Sequence, residues 1–318
     1  MLLSTHVLPD GDGLGAQAAL FYFFKQRNIT TFIVNNDPLP PRYSFLDKGN
    51  FFSQALPHPP ELSVDEKPVI LLIVDTFLPS RIGGIWNSYR KYANYVFFLD
   101  HHLIPESPRY SPNEYLISEP SRSSIGELTY ELLKTLQRDE TFGFEIWQSL
   151  YVSVMTDTNS FRYARTTSLA HEIAAKSVLA GVNPELVYQE IYSSKTLNHV
   201  KFLGQLLSET KTAFDEKVAW IEIKSQGRDD FEATEDDTLS FPNSLLLLQK
   251  AEVVCSFREA DNQTVRVSLR SKGRVAVIDV ALALGGGGHE FSAGARVAGT
   301  LDTVREKTLR ALKPLLQT

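Results

Sequence analysis

The chain predicts an α/β protein: a mostly parallel sheet carrying helices, followed by a smaller mixed α/β domain. Three observations carry this reading. Apolar strand-like runs at 2–7, 30–34, 69–74 and 95–99 alternate with helix-like segments, the signature of a parallel sheet with crossover connections. Residues 123–192 then turn helical, and beyond residue 213 short strands pair across polar turns. A length of 318 residues matches two domains at about 100 to 200 residues each. The expected division is a first domain over 1–194, a helical linker over 195–212 and a second domain over 213–318.

Taken in order, the first strand leads into a helix over 13–27 and a second strand. Residues 38–68, rich in proline and aromatic residues, read as an irregular excursion. The strands at 69–74 and 95–99 follow. Helices are expected over 125–136, 144–155 and 168–180; Gly181 and Asn183-Pro184 stop the last of these. An amphipathic run over 198–214 precedes a strand at 218–223. Strands at 253–257 and 265–269 flank the polar stretch 259–262 and make a hairpin. A helix over 275–284 enters four consecutive glycines, and 303–316 closes the chain as a helix.

Composition narrows the function. A net charge of -6 argues against general binding of duplex DNA, which needs a basic face. Two bound divalent cations would bring that charge to -2, so much of the acidic excess belongs to a metal site. The lone cysteine, Cys255, has no disulfide partner and reads as packing in a reducing compartment. No apolar run approaches the ~20 residues that span a bilayer, and no secretory leader opens the chain. The expectation is a cytoplasmic protein with no membrane association.

Chemistry concentrates in four segments: His6, Asp10 and Asp12 after the first strand; Asp75 after the third; Asp100-His101-His102 after the fourth; and Asp157 after a helix. Each alone has an ordinary explanation, such as Asp12 capping the next helix or Asp75 and Asp157 capping turns. Together they lie where parallel strands end side by side, the edge at which ligands bind. Carboxylate and imidazole donors brought together there suit two divalent metals such as Mn2+. Adjacent histidines in an extended chain put one imidazole on each side, one for metal and one for substrate. In the second domain, Gly285 to Gly288 leave backbone amides open to an anion, with His289 adding a donor. Arg270 at a strand end offers a bidentate grip on phosphate.

These motifs, in this order, resemble the DHH phosphoesterase superfamily, named for Asp100-His101-His102. The segment from Gly285 to Gly294 resembles the signature of its DHH-associated substrate domain. The resemblance spans nearly the whole chain and is greatest to the nano-RNases. It implies a dinuclear manganese site, one metal on His6, Asp10 and Asp75 and the other on Asp12, Asp75, His101 and Asp157. His102 would contact the scissile phosphate and Asp100 would orient the histidines. Arg270, Ser271, Gly286, Gly287, Gly288 and His289 would bind substrate, more weakly Lys272. The active site would lie in the cleft between domains. Asn159 and Ser292 depart from the family pattern, where glycine and alanine are common.

The implied activity is metal-dependent hydrolysis of short linear single-stranded RNA or dinucleotides, such as pGpG or pApA, to mononucleotides. A cyclic dinucleotide phosphodiesterase and a 3'-phosphoadenosine 5'-phosphate phosphatase share the metal centre and remain alternatives. A manganese pyrophosphatase or a processive single-strand exonuclease fits less well. A silent nucleotide sensor is the non-enzymatic alternative, although a decayed enzyme usually loses a metal ligand. Family members often form a homodimer, but no interface is legible in the sequence.

Overall fold

The computed structural model describes residues 1–52, 68–104, 110–139, 141–193, 196–233, 238, 240–260 and 263–316. The chain divides into two compact units, Met1–Ser194 and Lys195–Thr318.

The first unit holds strands β1 (Leu2–Ser4), β2 (Phe32–Ile33), β3 (Ile70–Val74), β4 (Tyr95–Asp100) and β5 (Glu114–Ser118). Its helices are α1 (Gly11–Lys25), α2 (Gly84–Tyr89), α3 (Ile125–Leu136), α4 (Phe144–Asp157), α5 (Ser168–Leu179) and α6 (Pro184–Tyr192). The sheet order is β2-β1-β3-β4-β5, and every pair is parallel. Strand alternation divides the apolar residues between two faces. Leu3, Leu72, Val74 and Leu99 join the core built with α1, α3, α4 and α5, while Leu2, Leu71, Ile73, Val96 and Phe98 pack with Ile85 and Tyr89 of α2.

Several boundaries differ from expectation for local reasons. Helix α1 starts at Gly11 because Asp10, not Asp12, is its N-cap: Asp10 Oδ1 accepts from the amides of Asp12 (3.0 Å) and Gly13 (3.4 Å). Helix α4 runs two residues further than expected, so Asp157 is its last residue. Asn183 both follows one helix and opens the next, its Oδ1 accepting from the amides of Glu185 (2.9 Å) and Leu186 (3.3 Å), with Pro184 in the first turn. Strand β5 escaped the sequence reading. It is an edge strand whose Tyr115 and Ile117 are exposed, so burial on both faces does not stamp an apolar run on it. In the expected excursion, Pro41–Leu46 forms a 3-10 turn and Phe51 stacks on Phe21 at 4.1 Å; residues 53–67 lie outside the described residues.

The second unit is a mixed sheet of β6 (Lys211–Ala213), β7 (Val218–Ile223), β8 (Val253–Glu259), β9 (Thr264–Ser271), β10 (Gly287–His289) and β11 (Ser292–Ala298). The order is β10-β11-β9-β8-β7-β6. Only β7 and β8 pair in parallel. Helix α7 (Leu197–Ser208) packs Phe202 and Leu206 against Ala219 and Ile221 on one face; helices Val277–Ala283 and Leu301–Leu312 cover the other. The β8–β9 hairpin forms antiparallel; Asp261 and Asn262 of its expected turn lie outside the described residues. Cys255 is fully buried in this core, and burial pushes its thiol up. Among the described residues no helix is long and apolar enough to cross a membrane.

Candidate metal centre

Parallel register sets the geometry of the centre. Ser4 pairs with Ile73 and Val74 with Leu99, so the chain leaves β1, β3 and β4 at one edge. Asp75 exits β3 with φ +64°, a left-handed conformation that Asp tolerates better than most residues. Its amide donates to Leu99 O at 2.9 Å, and Thr5 Oγ1 donates to Val74 O at 3.0 Å. Asp75 is thus held on both sides while its carboxylate, 3% exposed, turns into the edge.

Imidazoles converge on that carboxylate. His6 Nδ1 donates to Val7 O (2.8 Å), and His6 Nε2 lies 3.3 Å from Asp75 Oδ2 and 4.0 Å from Asp10 Oδ1. His101 Nδ1 donates to Arg122 O (3.2 Å), which fixes Nε2 as the inward nitrogen. That nitrogen lies 3.3 Å from Asp12 Oδ2, 3.4 Å from Asp75 Oδ1 and 3.7 Å from Asp157 Oδ2. Asp75 therefore presents one oxygen to each imidazole.

The two adjacent histidines do not diverge as an extended chain would require. Asp100 Oδ1 accepts from the amides of His101 (2.8 Å) and His102 (3.2 Å) and from His102 Nδ1 (2.6 Å). This turn ends the strand alternation at Asp100. The two rings lie 4.9 Å apart, and His102 Nδ1 is also 3.8 Å from Asp75 Oδ1.

Helix ends complete the surroundings. Asp12 accepts from the amides of Ile125 (2.9 Å) and Gly126 (3.3 Å) at the start of α3, where the helix dipole favours an anion. Ser153 Oγ also donates to it. Arg165 donates to Asp157 and, at 2.8 Å, to Ser123 O. Ser153, Arg165 and the α3 amides went unnoticed in the sequence. The Ser124-x-x-Glu127 capping signature marks the start of α3 but not what its amides face.

Electrostatics follow from this crowding. Burial, reinforced by the Asp75 and Asp10 charges and opposed by His101, pushes Asp12 up. Burial also acts against ionised Asp75, but hydrogen bonds from His101 and His6 outweigh it and hold that carboxyl well below the usual range. Burial opposes charge on His6 and His101 too, yet their carboxylate partners raise them to about 9 and about 10. The site thus draws in positive charge strongly enough to overcome burial.

Among the described residues three sets of donors gather here: His6, Asp10 and Asp75; Asp12, His101 and Asp157; and Asp75, His101 and His102, each set within 4.8 Å. Oxygen and imidazole donors from four chain segments, with His6, Asp12, Asp75 and His101 buried and Asp10 exposed, fit divalent cations, and Asp75 is common to two sets.

In the second unit, the glycine tetrad runs from a helix-end turn at Gly285 into a strand that begins at Gly287. Gly287–His289 form an edge strand paired with β11. Its close approach demands glycine: a Cβ at Gly286 would sit 2.1 Å from Gly294 O, and one at Gly288 2.6 Å from Ala293 Cα. Register aligns His289 with Ser292, and Ser292 with Arg270, about 10 Å across two strand spacings. Arg270 Nη1 donates to Leu269 O at 2.9 Å. Ser271 is buried, and its Oγ accepts from the amides of Gly273 (3.2 Å) and Val275 (3.3 Å), tying down the turn after β9.

Comparison with known proteins identifies both domains. The DHH family N-terminal domain matches residues 1–156 and the DHHA1 domain matches residues 201–317. The bifunctional oligoribonuclease and PAP phosphatase NrnA of Thermus thermophilus is 28% identical over 313 residues, spanning 98% of this chain and 88% of that protein. The cyclic-di-AMP phosphodiesterase GdpP of Geobacillus thermodenitrificans is 27% identical over 318 residues, spanning 98% of this chain and 46% of that protein. An exopolyphosphatase-related protein from Bacteroides fragilis shares the fold, with a TM-score of 0.86 at 23% identity over 100% of this chain and 93% of that one. The chain belongs to the DHH phosphoesterase family, with a DHH N-terminal domain followed by a DHHA1 domain.

Proposed function

We propose that this protein is a manganese-dependent phosphodiesterase that hydrolyses short linear oligonucleotides, down to dinucleotides, to mononucleotides. The observation that carries the reading is the convergence of His6, Asp10, Asp12, Asp75, His101 and Asp157 at one sheet edge. Similarity to an oligoribonuclease over nearly its full length supports the substrate class.

Two cations held by these residues would acidify the attacking water and offset charge on the phosphoryl oxygens. The protein groups have separate tasks. The α3 amides and Ser153 hold the Asp12 carboxylate in place and aim it inward. Asp100 fixes the His102 ring through Nδ1, so Nε2 is the nitrogen assigned to a phosphate oxygen. Arg270, with Ser271, Gly286 and the strand of Gly287, Gly288 and His289, is assigned to the far nucleotide. This division suits a small substrate with one phosphate to cleave and one nucleoside to grip.

Phosphatase action on 3'-phosphoadenosine 5'-phosphate is the second reading, favoured by the bifunctional name of the Thermus relative. Chromatography of products from pGpG, pApA, a five-nucleotide RNA, a cyclic dinucleotide and phosphoadenosine phosphate separates them. Mononucleotides from the linear dinucleotides are expected with Mn2+ and absent with Asp75→Asn. Turnover of only the bisphosphate or the cyclic substrate moves the assignment, and binding without product leaves a sensor.

A further inference from the structure

Asp157 occupies an unfavourable position for a carboxylate. It is the last residue of α4, the negative end of the helix dipole, and the last turn of α4 contains no basic residue. Its Oδ2 also faces the Asp12 and Asp75 carboxylates across His101. The compensating charge arrives from eight residues downstream. Asn159, Ser160 and Phe161 take φ values of +50°, +58° and +62°, and the amides of Arg162 and Tyr163 donate to Thr158 O at 3.0 and 3.1 Å. Three successive left-handed residues are costly without glycine; they turn the chain back over the end of α4. Asn159, the first of the three, is the residue type best suited to open such a turn. Arg165 then donates to Asp157 and to Ser123 O. The nearby Arg122 pairs with Glu131 at 2.6 Å, and Arg162 donates to Asn159 Oδ1 at 3.1 Å.

We propose that Arg165 is the resident counter-cation of Asp157: its guanidinium balances the carboxylate in the metal-free protein, and cation binding at Asp12, His101 and Asp157 takes that role over. A guanidinium keeps its charge at every working pH, so the site stays folded and aimed before metal arrives. Breaking a largely buried ion pair from one side leaves an uncompensated charge, which only the metal can then satisfy. Arg165 is a positioning residue in this scheme, which rests on the metal-binding reading above.

The test compares melting of chelator-stripped and Mn2+-loaded full-length protein for wild type and Arg165→Met. The variant is expected to melt about 5 °C or more below wild type when stripped, and within about 2 °C of it when loaded. The linked expectation is at least about tenfold tighter Mn2+ binding by calorimetry. An equal loss in both states means Arg165 only packs, and no loss in either means the pair is idle; each overturns the proposal. No Mn2+ shift in wild type overturns the metal reading and this proposal with it. If Arg165→Met does not fold when stripped, Arg165→Met/Asp157→Asn removes both charges and is expected to recover folding. Failure of that recovery also counts against the proposal.

Discussion

Asp75 is the residue on which the centre turns, because its two oxygens serve different imidazoles. Asp75→Asn keeps the shape but removes the charge, and phosphodiester turnover is expected to fall by at least about 10³-fold, with lost Mn2+ binding measured by calorimetry. The histidines set a pH dependence. In the metal-free protein His6 and His101 are raised from 6.5 to about 9 and about 10. Their stabilisation is complete below about pH 6.5 and is lost as pH rises through those values. The melting temperature of stripped protein should therefore fall across that window, while Mn2+-loaded protein holds. Metal binding near pH 7 should release close to two protons, read from calorimetry in buffers of different ionisation heat. In the second unit the sign reverses. Burial opposes charge on Glu222, but hydrogen bonds from Lys211, Arg305 and Trp220 bring it down to about 2. Its stabilisation is full above about pH 4.5 and fades as pH falls towards 2. Glu222→Gln should cost about 1 to 2 kcal/mol at neutral pH, after discounting for solvent screening, and nothing near pH 2 by acid titration of the melt.

At the scale of elements, contact between α1 and α4 brings Asp12 to Ser153 and Asp157. A Cβ at Gly15 would lie 2.5 Å from Ser149 O and 2.8 Å from Ser153 N. Gly15→Ala must push the helices apart, and a loss of about 1 to 3 kcal/mol in denaturant melts is expected, together with weaker Mn2+ binding. The strands that position the site were legible because burial on both sheet faces leaves continuous apolar runs at 69–74 and 95–99. The donors were legible because parallel strands end side by side. Other features arise only from tertiary contact. Strand β5 lacks burial on both faces, the α3 amides reach Asp12 across more than a hundred residues, and Arg165 arrives through a left-handed turn at non-glycine residues. The strand that begins at Gly287 was not legible, because the signal of an edge strand usually comes from side chains, which these positions lack.

For the whole molecule, the two units carry different chemistry: acidic and imidazole donors in the first, an Arg and a glycine-dependent hairpin in the second. If Arg270 has the proposed role of gripping the nucleotide remote from the reacting phosphorus, Arg270→Ala raises KM for a linear dinucleotide by about tenfold or more, with a smaller change in kcat. An effect confined to kcat would place it at the reaction itself. The central claim is that four distant segments build one dinuclear centre. Metal analysis of purified protein equilibrated with Mn2+ and freed of excess ion tests it most directly, with Asp75→Asn alongside. Two ions per chain, lost or reduced to one in the variant, is the result the geometry predicts; no bound ion, or two ions retained without the Asp75 carboxylate, would contradict it.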